Sequence, residues 1–117
     1  MFSDMPKAFD MLQYYKNVYG GIKVTWELNM SVRMLAAKEY IYKFVKPGTK
    51  VDFFSDRVKT CVCELVDLLT DRYEQGRLCL ESYDKYKRQY RVQDWNKLIF
   101  ETIELYFPKE DLYRGVE

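Results

Sequence analysis

Two acidic pairs, Asp67 with Asp71 and Glu101 with Glu104, stand at helical spacing, so each pair would share one face of a helix. Carboxylates placed this way have the groups for general acid–base work or for holding a hard cation. The same spacing recurs on the wet face of ordinary helices. The chain also lacks the usual companion of such pairs: it has no histidine, the commonest general base near neutral pH and the commonest zinc ligand. Cys61 and Cys63 form a C-x-C pair, but positions i and i+2 of a helix point apart, and Cys79 raises the thiols to three where structural zinc takes four ligands. C-x-C is also not the C-x-x-C redox spacing. Gly20-Gly21 is followed by neither a P-loop nor a dinucleotide fingerprint. The expectation is a chain that is no enzyme, with no cofactor, no metal and no catalytic residue.

A second chemistry is written in the stretch SYDKYKRQYR, Ser82 to Arg91, where three tyrosines alternate with four cations. Lys85, Lys87, Arg88 and Arg91 are the candidate contacts for a polyanion or an acidic partner. On a helix, Tyr83, Tyr86 and Tyr90 fall within an arc of about 60°, in line with Cys79, while the cations project elsewhere. That separation favours a tyrosine packing seam with a solvated basic side, because single-strand binders bring rings and cations together in one groove. Nucleic acid is the alternative reading, and a phosphate-driven contact would weaken steeply with salt.

The elements that must position these residues are limited by composition. A chain of 117 residues with 48% apolar and 17% aromatic side chains has ample material for one core, so a single domain over 1–117 is expected. The net charge of +1 argues against a surface built throughout to coat nucleic acid or an anionic membrane, yet charge is unevenly spread. Residues 1–50 carry 8 basic and 4 acidic side chains, 51–82 carry 4 and 7, 83–97 carry 5 and 2, and 98–117 carry 2 and 5. An odd number of cysteines without a signal-peptide pattern points to a reducing, cytoplasmic setting. No apolar run is long enough to span a bilayer, so no membrane is expected.

Apolar periodicity predicts an all-α bundle of four to five helices, with one short extended segment near 22–26. The first helix starts near Ser3 or Asp4, holds Pro6 in its first turn and stops at Gly20; a hairpin turning on Gly20-Gly21 into IKVTW competes with it. The second runs from an Asn29 cap to Val45, with Met30, Met34, Ala37, Ile41, Phe44 and Val45 inside. The third is capped by Ser55, stopped by Gly76 and buries Val58, Cys61, Val62, Leu65, Val66, Leu68, Leu69 and Tyr73, leaving Cys63 on its polar face as the faster-reacting thiol. A fourth covers 78–91. A fifth, from an Asp94 cap to Phe107, is apolar over most of its circumference and is the expected centre of the bundle, and a turn held by Leu112 and Tyr113 follows it.

Without catalytic equipment the expected role is protein binding, as inhibitor, adaptor or regulator, with either another protein or a second copy of the chain as partner. Trp26 in the connector and Val32, Leu35 and Tyr42, off the stripe of the second helix, are the candidate interface, with burial under the first helix as the competing explanation. The ending IELYFPKEDLYRG resembles the last helices of small viral Bcl-2-like proteins over about a tenth of the chain, without their NWGR-type signature, and no site is carried over from it. Short chains of this kind are, by analogy, often accessory factors of phages and viruses.

Overall fold

The computed structural model describes residues 5–81 and 95–112, with side chains described over 5–74 and 95–112. It is all-α: α1 (Ala8–Tyr14) continues into a π turn (Tyr15–Tyr19), followed by α2 (Glu27–Phe44), α3 (Asp56–Glu81), α4 (Trp95–Glu104) and a 3-10 turn (Lys109–Asp111). Among the described residues no helix is long and apolar enough to cross a membrane. The Ser3, Asp4 and Asp94 caps, Tyr113 and the whole Tyr83–Arg91 seam, with Lys85, Lys87, Arg88 and Arg91, lie outside the described residues, as does the side chain of Cys79.

The hairpin alternative is settled in favour of a helix and a connector. Pro6 precedes α1 rather than sitting in its first turn, and Lys7 occupies the N-cap with extended backbone. Widening into a π turn brings Tyr15 and Tyr19 over α3. Gly20 then closes the helix at φ 82°, and the N–H of Gly21 also donates to the Tyr15 carbonyl at 2.8 Å. Left-handed backbone there is why a glycine stands at that point. Residues 21–26 run on without regular structure, pinned by Lys23 N and Val24 N, which donate to the Tyr15 hydroxyl at 3.0 and 3.3 Å.

α2 begins two residues earlier than its apparent cap. Trp26 holds the N-cap position without a side-chain cap bond, Glu27 supplies a favourable negative charge in the first turn, and Asn29 lies inside the helix. The predicted inner stripe is all buried, from Met30 to Val45. Val45 is already extended at ψ 138°, and it pairs in an antiparallel bridge with Leu112 while Lys46 N donates to Asp111 O at 2.8 Å.

α3 is capped as expected: Ser55 Oγ accepts from Val58 N at 3.3 Å and donates to Asp52 O at 2.9 Å. It runs through Gly76 to Glu81, so that glycine does not stop it. A mid-helix glycine costs about 1 kcal/mol relative to alanine, less than the loss of the ladder bonds around it.

The largest correction concerns the centre of the bundle. α2 and α3, not α4, are the elements packed on several sides: α2 meets α1, α3 and α4, and α3 meets α2, α4 and the π turn. Ile99 and Ile103 of α4 are buried and Phe100 meets Phe44 edge-on at 5.1 Å, but Leu105 just beyond the helix is 74% exposed. Cys63 is therefore buried like Cys61, contrary to the exposed thiol expected from helix phase. Tyr73 errs in the other direction: it lies in the apolar arc of α3 yet is 59% exposed.

Candidate functional site

The polar face of α3 is covered by a row of tyrosine hydroxyls. Tyr14 shares a hydrogen bond with Thr60 at 2.9 Å, Tyr15 and Tyr19 donate to Asp67 at 2.6 and 3.3 Å, and Tyr106 donates to Glu64 at 2.5 Å. Lys23 pairs with Asp71 at 2.7 Å. A tyrosine brings an apolar ring and a polar tip, so it can bury a face that alternation alone reads as wet.

This arrangement assigns the acidic residues structural work. Asp67 is occupied by two phenols and Asp71 by an ammonium, so the pair does not converge on a common point. Glu101 and Glu104 are both exposed. Burial pushes the Tyr15 hydroxyl up to about 12, and its hydrogen bond to Asp67 acts in the same direction. Burial, reinforced by the Asp67 charge, also raises Tyr19. These phenols are neutral donors that fasten the N-terminal segment to α3.

Burial raises both Cys61 and Cys63 to about 12, with the Glu64 charge adding at the first and the Asp67 charge at the second. A thiol held neutral and out of solvent is a poor nucleophile. Both are therefore expected to stay unmodified when the native protein is treated with iodoacetamide at neutral pH, and to react together once it is unfolded. Peptide mapping that finds Cys63 modified in the native state would contradict the covered face of α3.

Some of the exposed apolar side chains line up instead on α2. At about 100° per residue, Leu28, Val32, Leu35 and Tyr42 fall within an arc of about 80°, opposite the buried stripe, with exposed Glu39 among them. Leu28, Val32 and Tyr42 are 67%, 53% and 46% exposed, and Leu35 is half-buried. The Tyr42 ring is held edge-on against buried Phe53 at 5.8 Å. Three of the four sequence candidates are thus brought together. Trp26 is 68% exposed but stands at the N-cap, on another side of the helix by position.

Leu28 was missed because a cap at Asn29 left it outside the helix. The spacing 28, 32, 35, 42 carried the signal once the helix is started at Glu27. Burial under the first helix accounts only for Leu35, which lines an apolar groove of about 220 Å³ with Met5, Pro6, Ala8 and Met34. Ser31 and Lys7 supply its polar groups. Lys7, at the groove, is exposed. Compared with known protein families, curated proteins and solved structures, the chain matches none.

Proposed function

We propose that this chain is a non-enzymatic, cytoplasmic binding protein, an inhibitor, adaptor or regulator, that holds a helical segment of another protein along the outer face of α2. The observation that carries this reading is the second apolar stripe of Leu28, Val32, Leu35 and Tyr42, on a helix whose opposite side already supplies the core. One apolar face is enough to dock a helix; a second one left in water marks a contact surface. Its spacing suits the i, i+4, i+7 anchors of an amphipathic partner.

The neighbouring groove gives that partner a place to anchor. At about 220 Å³ it exceeds the roughly 150 Å³ cavity that accepts a benzene, leaving room for one leucine or aromatic side chain. Lys7 beside the groove favours an acidic residue on that flank of the partner.

Leu28→Asp and Val32→Asp alter exposed positions and are expected to leave thermal stability within about 0.5 kcal/mol of wild type. In affinity capture from native lysate, each is expected to lose a protein that both wild type and Leu105→Asp retain. Identical capture by all four proteins would overturn the assignment. Sedimentation separates the occupants: self-association of wild type that Val32→Asp abolishes would make the partner a second copy of the chain.

A further inference from the structure

We infer that the seam between α2 and α3, around Arg33, is a binding site for the phosphates and bases of a single-stranded nucleic acid. It is independent of the outer α2 stripe and made of other residues.

Arg33 is the starting point. It is half-buried, its Nε is shut off from solvent without a hydrogen-bond partner, and no carboxylate lies within ion-pair distance of it among the described residues. Its guanidinium lies over the ring of Tyr73 at 5.2 Å. A ring face holds a cation only weakly, and a buried Nε–H without an acceptor weakens a fold. A guanidinium kept in that position is suited to an anion that arrives from outside, and its planar fork matches phosphate oxygens.

The surroundings repeat the pattern. Arg33 and Tyr40 are spaced by seven residues, nearly two turns, so they follow one side of α2 within about 20° and about 10.5 Å apart, and Trp26 stands at the N-cap of the same helix. Beside them α3 contributes Arg72, whose Nη1 donates to the Tyr40 hydroxyl at 2.7 Å, and Tyr73. Lys43 stands over the Tyr40 ring at 6.0 Å. Of the acids nearby on α3, Asp71 is neutralised by Lys23, and Glu74 is exposed.

Rings and cations thus converge on one seam, the condition that the separated faces of a Tyr83–Arg91 helix would fail to meet. Exposed Trp26 and Tyr73 offer ring surface to bases, and the two arginines and Lys43 offer charge to phosphates. An acidic protein segment would use the charge but not the ring faces. That difference decides for nucleic acid and gives the test its second arm.

The full chain is titrated into a labelled oligothymidylate of about 12 nucleotides, within the site sizes of single-strand binders, at about 50 mM salt. Binding with quenching of tryptophan fluorescence is expected, weakening steeply as salt rises. Arg33→Met is expected to weaken it about tenfold or more and Trp26→Ala to a smaller degree, while Leu28→Asp leaves it unchanged. Arg33→Met is also expected to melt at or above the wild-type temperature, because it removes a buried N–H that has no acceptor.

No binding by wild type would overturn the inference. Binding that Arg33→Met leaves unaltered would do so too, placing the contact elsewhere, and a lower melting temperature in that variant would make Arg33 a packing staple. Polyglutamate that binds as tightly, with no effect of Trp26→Ala, would assign the seam to an acidic protein.

Discussion

Gly21→Ala is expected to destabilise the protein by about 3 kcal/mol or more, in the range reserved for a severe overpacking. A Cβ on Gly21 would fall among the Cζ, Cε1 and Cε2 atoms of the Tyr15 ring, far inside van der Waals contact. A flexible side chain would swing away. Tyr15 has no such freedom: it is fully buried, stacked on Tyr19 at 5.7 Å, and its hydroxyl is fixed by Asp67, Lys23 N and Val24 N. Displacing the ring would leave two backbone donors without their partner, each costing about 1 to 3 kcal/mol if it stays buried, and would take one of its two phenols from Asp67. The neighbouring glycine provides the control. Gly20 is left-handed at φ 82°, yet nothing lies within 4 Å of its Cβ position, so Gly20→Ala is expected to cost only about 1 kcal/mol of backbone strain. Urea melts of the two variants give the comparison. Equal losses would mean that the Tyr15 ring does not seal the connector.

The same tyrosine shows where the sequence could be read and where it could not. Apolar periodicity finds a residue that is buried by apolar neighbours, so the inner stripe of α2 and the line Val58, Cys61, Val62, Leu65 and Val66 of α3 are legible directly. It does not find Cys63, whose face also carries Thr60, Glu64 and Asp67. That face is covered because Tyr14, Tyr15, Tyr19 and Tyr106 satisfy its polar atoms while burying it, and those contacts join residues more than forty positions apart. The only local hint was composition: 11 tyrosines exceed what packing one small core requires. The outer stripe of α2 was legible as side chains left over from the core, apart from Leu28. Arg33 and Tyr73 were not, since nothing in either segment announces a guanidinium set on a ring forty residues away.

Alkali is expected to unfold the protein cooperatively between about pH 9 and 12. Five described groups are involved, all raised chiefly by burial: Cys61 and Cys63 from 9.0 to about 12, Tyr15 from 10.0 to about 12, and Tyr19 and Tyr106 upward from 10.0. Asp67 facing Tyr15 and Tyr19, and Glu64 accepting from Tyr106, oppose ionisation further. Each group is neutral when protonated, and the folded state holds its proton more tightly than the unfolded chain does. Their contribution to stability is therefore complete below pH 9. It starts to fall where the unfolded thiols ionise, falls faster above 10 where the unfolded phenols join them, and is lost through the folded values near and above 12. Because the row fastens α1, the π turn and the segment after α4 to α3, ionisation and unfolding should coincide. Tyrosinate absorbance and helical circular dichroism, followed together against pH, are expected to change in one transition. Asp67→Asn, which removes the charge facing two of the phenols, should make the alkaline loss shallower while lowering stability at neutral pH. If instead the phenols of Tyr15, Tyr19 and Tyr106 ionise near pH 10 with the helical signal intact, the hydroxyl row is not what joins the N-terminal segment to the central helix.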